Sequence, residues 1–438
     1  MFPAAVPSFV GVVRRSIPKY DVGRRSTLST CVELPYKTTA GQELMADPER
    51  AQLLPKGGGH DNELDEKRLA FRLFTAMGFA YLFSYFALLQ PVDYWTLLFP
   101  SFNAEFEIAW VYNVASVSTL VMLLWQGGSP SYNWRIVGGF ATILTVMVAL
   151  PVSHFVLSTT KQHLAMVLGS TAIISVSIST VDSTVLSLAS LFPVGAMEAT
   201  QVGMGWALFV SALYRVATKM FLYTANSVVP ATMLYFGVTV ATVAGGFLAF
   251  LKLRQLSITQ RYVDQARATQ VVDLSMWSKL WFNECMVALS FGITYALYPG
   301  VLTSIPSYNF PALNASGWWP LALMTTFAGC EAVGRSCVRW RLATHQTIWK
   351  LVLPRLMLIP VVTCAAKGFV AHDVISVASA MILGWSNGYV GTLAVVVTND
   401  CVDAHEQSVT GMFASLGINV GILAGATVSL VASKIVGL

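Results

Sequence analysis

Glu331 and Arg335 stand four residues apart in "GCEAVGRSC" (Gly329 to Cys337), inside an oily run that begins at "WWPLALMTTFA". On a helix, positions i and i+4 share one face, so the acid and the guanidinium lie one turn apart and can neutralise each other. A charge at bilayer depth costs on the order of 2.5–3.5 kcal/mol, and such residues persist where they face a bundle interior and find a partner. Two readings of the pair follow. It is a clamp that fixes its helix against neighbours, or it lines a cavity and offers donors and acceptors to a polar ligand. Ser175, Ser179 and Asp182 recur at i, i+4 and i+7 and make a second polar stripe on one helical face. Serines alone fit helix packing. With an acid below them they fit a cavity wall.

Such chemistry makes sense only if lipid surrounds it, and the composition says that it does. Hydrophobic residues make up 55% of the 438 and charged residues only 11%, far below the quarter usual in soluble domains. The net charge of +5 is modest. Six cysteines are scattered without a CxxC pair, which argues against a disulfide framework or a zinc site. There is no Walker loop, no HExxH and no GxGxxG after a strand. No metal, cofactor or nucleic-acid partner is implied. An intramembrane enzyme such as an acyltransferase would need clustered His/Asp or Ser/His groups. The histidines at 60, 154, 163, 345, 372 and 405 fall instead in the tail or near span ends.

The elements that position these residues are read from hydropathy. Residues 1–66 are polar and are expected to form a cytoplasmic, largely disordered tail. Eleven segments then reach the ~20 residues a bilayer requires. They run near 69–91, 106–126, 136–157, 163–188, 198–221, 228–251, 281–303, 318–338, 347–368, 374–398 and 409–434. A basic stretch, 252–279, carries Lys252, Arg254, Arg261, Arg267 and Lys279 against Asp264 and Asp273. It reads as a cytoplasmic linker between a six-helix bundle (67–251) and a five-helix bundle (280–438). With the N-terminus inside, an odd count puts the C-terminus outside. Arg339 and Arg341 agree with the positive-inside rule, whereas Arg215 and Lys219, at an outer end, do not. Asn314 forms an "NAS" sequon in a predicted outer loop. Pro299, Pro354 and Pro360 are expected to bend their spans. Gly417, Gly421 and Gly425 share a face that lets another helix approach closely.

Over about 85% of its length, from the first span to the end, the chain resembles the equilibrative nucleoside transporter family. The resemblance rests on "AVGRS" (Ala332 to Ser336), "LPRLMLIP" (Leu353 to Pro360), "GWSNGYVGTL" (Gly384 to Leu393) and the glycine-rich last span. "YALYPGVLTSI", "SLASLFP" followed by "GMG" (Gly203 to Gly205), and "WRIVGG" (Trp134 to Gly139) add to it. The family's usual aspartate before "GRS" is here Glu331. Its "LPWN" end of span one reads "QPVD" from Gln90, and the position of a common span-four glutamine falls on Asp182.

The resemblance implies an all-α polytopic membrane protein of eleven helices in a major-facilitator-like 6+5 arrangement, moving nucleosides or nucleobases by alternating access without covalent chemistry. It implies substrate contacts at Glu331, Arg335, Asp182, Ser179, Leu89 and Gln90. Gating or structural roles are implied for Arg135, Arg355, Asn387, Gly203, Gly205 and Gly421. Arg135 alone reads as a snorkelling anchor, and Arg355 as a buried structural charge. Equilibrative transport is the expectation, and a proton-coupled carrier is the alternative that Asp182 raises. The expected partners are the transported substrate and the bilayer, and the expected host is the plasma membrane. The sequence leaves base preference and oligomeric state open.

Overall fold

The computed structural model describes residues 58–100, 104–126, 132–193, 195–221, 227–269, 276–403 and 406–436. These residues belong almost entirely to one compact unit, Gly59–Leu438. The expectation of disorder for residues 1–57 lies outside the described residues.

The described chain is helical throughout its long elements. Before the linker come α1 (Gly58–Leu89), α2 (Ala104–Gln126), α3 (Tyr132–Val156), α4 (Thr160–Ser190), α5 (Ala196–Phe221) and α6 (Val228–Leu253). After it come α7 (Trp277–Leu297), α8 (Trp318–Ser336), α9 (Trp349–Val352), α10 (Asp373–Ser386) and α11 (Gln407–Val436). Apolar spans in lipid must satisfy every backbone group internally, which leaves the helix as the only open choice for such segments. Nine helices among the described residues are long and apolar enough to cross a membrane. Outside these nine stand α5 and α8, helices of 26 and 19 residues that carry Gln201 and the Glu331–Arg335 pair.

Local chemistry explains several boundaries. Thr159 and Gln162 form a reciprocal capping box at the start of α4. Pro299 follows the end of α7, and the helix restarts at Gly300–Ser304. At Pro354 α9 tightens into a 3-10 turn, Leu353–Met357, before resuming as Leu358–Ala366. Pro360 sits inside that last helix without ending it. After α10 a π-helical turn, Asn387–Gly391, precedes a further helix, Thr392–Thr398.

The start of α1 differs from expectation. It is helical from Gly58, inside what reads as a disordered tail. The basic linker supplies the reason, because it folds as a helix, Ser257–Thr269, against α1. Glu66 accepts from Ser257 Oγ at 2.7 Å and from the Ile258 amide at 3.1 Å, and Glu63 pairs with Arg261 at 3.7 Å.

Helices before and after the linker meet along two seams, α4 with α11 and α5 with α8. Missing side chains make both possible. A Cβ on Gly411 would lie 2.3 Å from the Ser187 amide nitrogen, and one on Gly205 would lie 2.6 Å from Arg335 Cδ. Gly203 packs against the backbone of α1, where a Cβ would stand 2.1 Å from Thr75 O. The glycine face of α11 packs on α7 in the same way. Cβ atoms at Gly421 and Gly425 would fall 2.3 and 2.4 Å from the carbonyls of Ala288 and Gly292. Such backbone-to-backbone approach is what small residues allow where lipid removes the hydrophobic drive for association.

Candidate functional site

A polar void lies where the two seams converge. Its wall draws on α1 (Tyr81, Tyr85), α2 (Tyr112, Ser116), α4 (Ser179, Asp182), α5 (Gln201), α7 (Tyr295), α8 (Arg335) and α11 (Asn419). Four of these helices precede the linker and three follow it, with α5 and α8 meeting at the charged corner.

Arg335 is the centre of that corner. Its Nε and Nη2 both donate to Glu331 Oε1, at 3.0 and 2.6 Å, the intrahelical pair expected from the four-residue spacing. Both side chains are buried. Its Nη1 donates to the side-chain oxygen of Gln201 on α5. Arg335 is therefore also the bolt of the α5–α8 seam, and it lines the void, whereas Glu331 is not among the residues of its wall.

The α4 stripe joins three helices. Ser175 Oγ donates to the Tyr112 carbonyl of α2, and Ser179 Oγ shares a 2.7 Å hydrogen bond with Ser116 Oγ. Asp182 accepts from Tyr81 of α1 at 2.7 Å and from Ser415 of α11. Ser116 also donates to Asn419 Oδ1 at 2.7 Å. On the neighbouring wall the rings of Tyr85 and Tyr112 lie 3.9 Å apart at 31°, an aromatic face suited to a planar ligand.

Other expected residues stand elsewhere. Leu89 and Gln90 lie beyond Phe86, the last residue of α1 to line the void. Gln90 donates its amide to Phe86 O, and its Oε1 is buried without a partner. Arg355 is buried and donates to Ser290 O at 2.7 Å, Thr294 Oγ1 at 2.6 Å and Ser386 Oγ at 3.2 Å, tying its 3-10 turn to α7 and α10. Asn387 accepts from Thr294 at 2.8 Å in the same cluster. Arg135 is half-buried near the start of α3, away from the void. The letters "GWSNG" at Gly384 to Gly388 also match the GxSxG nucleophile pattern, which needs a strand-to-turn-to-helix elbow. Here Ser386 closes a helix and holds Arg355.

At the linker end, polar ties join helices from before and after the linker. Ser190 Oγ donates to Gln407 O at 2.6 Å, and Asn399 Nδ2 donates to Ser190 O at 3.2 Å. Arg341 bridges Glu198 of α5 at 2.9 Å and Asp400 at 3.5 Å. Lys219, anomalous by sequence, finds its reason at the opposite end. It donates to Ser316 O at 2.8 Å and lies 5.0 Å over the Trp318 ring, joining α5 to the loop before α8.

Sequence reasoning missed Gln201, Tyr81, Ser116, Ser415 and Asn419. A polar residue two positions before the "GMG" glycines was the one available signal for Gln201. The hydroxyls carry none, because such residues are common in spans for packing alone.

Helices packed around a polar void, with a buried ion pair whose arginine reaches Gln201 across the α5–α8 seam, define a multi-pass integral membrane protein of the transporter class. Known proteins place it further. A sequence model of the nucleoside transporter family matches residues 263–433. "Equilibrative nucleotide transporter 8" of Arabidopsis thaliana is 22% identical over 377 residues, 83% of this chain and 95% of that one. "Nucleoside transporter 2" of Leishmania donovani is 26% identical over 171 residues, 37% of this chain and 32% of that one. Among solved structures, the major facilitator superfamily proton:xylose symporter XylE aligns with a TM-score of 0.60 at 10% identity, covering 85% of this chain and 89% of that one. FucP, of the same superfamily, in its outward conformation aligns at 0.55 with 13% identity over 84% and 91%. The chain is thus similar to the nucleoside transporter family, by its model over residues 263–433 and by relatives named as equilibrative or nucleoside transporters. This family and the structural neighbours are transporters, not enzymes.

Proposed function

We propose that this protein carries nucleosides, and nucleobases as smaller versions of the same ligand, across a membrane by alternating access. The observation that carries the reading is the Glu331–Arg335–Gln201 bridge. Its Arg335 and Gln201 line the void and span the α5–α8 seam at once, so a ligand that competes for them also acts on the contact that must open. Transport is facilitative in this reading, with Glu331, Arg335, Asp182 and Ser179 as fixed ligand groups. A nucleoside supplies hydroxyls for the carboxylates and ring acceptors for the guanidinium.

Eleven spans split six and five, with the N-terminus and linker cytoplasmic and the C-terminus outside, at the plasma membrane, complete the proposal. The polar ties at the linker end are then the inner gate. Uptake of radiolabelled adenosine, uridine and hypoxanthine by cells expressing the chain tests it, with cells lacking the chain as background. Failure of all three at measured surface expression overturns it. Proton-coupled transport is the second reading, favoured by the burial of Asp182 in the wall of the void.

A further inference from the structure

We propose that Gln201 is a specificity-determining residue. Its side-chain amide and Arg335 together select a base with two adjacent acceptors, the 6-oxopurine nucleosides, over adenosine. The proposal rests on the nucleoside reading above and adds the atoms that would choose among nucleosides.

The orientation of the Gln201 amide is dictated by its neighbour. A guanidinium only donates, so the amide oxygen must be the atom turned to Arg335 Nη1. The amide nitrogen therefore points the other way. Gln201 is fully buried and lines the void, and its Nε2 has no hydrogen-bond partner. A buried donor left unpaired is costly, and a ligand acceptor at that place would return the cost.

Arg335 adds to the same corner. Its hydrogen bonds run from Nε and Nη2 to Glu331 Oε1 and from Nη1 to the side-chain and backbone oxygens of Gln201. Four bonds from five N–H groups leave one N–H free. Two residues that line the void thus each keep an unpaired donor, the Gln201 amide nitrogen and one Arg335 N–H. Guanine and hypoxanthine display N7 and O6 as neighbouring acceptors along one edge, whereas adenine displays N7 beside an N6 amino donor. Adenine would set its amino group against the Gln201 amide. The Tyr85 and Tyr112 rings, tilted by 31° to each other, offer a face on which the purine can lie.

The test is competition for uptake, with inosine, guanosine and adenosine titrated against labelled inosine at measured surface density. Wild type is expected to favour inosine and guanosine over adenosine by about tenfold in KM, the scale of one mispaired donor. Gln201→Met keeps length and bulk, and should bring the KM values together. Gln201→Glu, which offers acceptors, should shift preference toward adenosine. In wild type alone, 7-deazainosine and purine riboside, each lacking one acceptor, should bind several-fold more weakly than inosine. Equal affinities in wild type, or an undiminished preference in Gln201→Met, would overturn the proposal and leave nucleoside transport standing. No uptake of any nucleoside by surface-expressed wild type would remove both. If the variants fail to reach the surface, the two analogues decide the matter.

Discussion

Gly205 of α5 faces Arg335 of α8 so closely that a Cβ would lie 2.6 Å from Arg335 Cδ and 3.3 Å from the Ala332 Cα. The guanidinium reaches Glu331 and Gln201 because that glycine has no side chain. Gly205→Ala should therefore displace Arg335, a flexible side chain, more than it disturbs the backbone. The expected result is normal surface expression with a several-fold rise in KM. An unchanged KM would mean that the corner tolerates a shifted arginine.

Arg335→Ala removes the donor that faces the void and leaves Glu331 buried without its cation. Breaking a buried pair this way costs about 3–5 kcal/mol, so uptake should fall to background while some protein still reaches the membrane. Arg335→Lys should restore little, since an ammonium cannot donate to Glu331 and Gln201 in one plane. Near-normal uptake by the lysine variant would reduce the arginine to a counter-charge.

Asp182 already accepts two hydroxyls, from Tyr81 and Ser415, which is the environment of a fixed acceptor. Asp182→Asn should weaken substrate affinity by about tenfold, on the scale of a charge-assisted hydrogen bond. Its pH profile of uptake should match wild type. Loss of concentrative uptake under an inward proton gradient, with exchange retained, would instead establish proton coupling.

Arg341 holds Glu198 and Asp400 together at the linker end, with the arginine side chain 26% exposed and Glu198 14%. Partly exposed pairs contribute about 1 kcal/mol or less, which is enough to tilt two conformers of similar energy. Glu198→Gln should increase labelling of cysteines introduced at the linker end of α4, measured in inside-out vesicles. No change in labelling would show that the Ser190, Asn399 and Gln407 ties close this end unaided.

Topology gives a separate check. An epitope inserted in the segment 252–279 should be reachable only after permeabilisation, and one appended after Leu438 should be reachable on intact cells. A C-terminal tag seen only in permeabilised cells would remove the odd span count.

The helical frame was legible because lipid imposes it. A segment such as 228–251 must be a helix of about this length whatever its neighbours do, and α6 runs from Val228 to Leu253. The start of α1 was not legible. Its first turns are polar, and their helicity depends on Glu63 and Glu66 meeting a linker helix about 190 residues away in the chain.

The intrahelical pair Glu331–Arg335 needed only a four-residue spacing, so the sequence by itself determined that contact. It also determined which glycines would lie on one face of α11, and that Asp182 would share a face with Ser175 and Ser179. Only the tertiary structure decided what each of them meets. Arg335 finds Gln201 across 134 residues, and Asp182 finds Tyr81 across 101 and Ser415 across 233. A helical period specifies direction around one axis, and says nothing about which other helix stands there. Which partner arrives is set by close packing at Gly205, Gly411 and Gly421, where the absence of a Cβ lets two backbones come together.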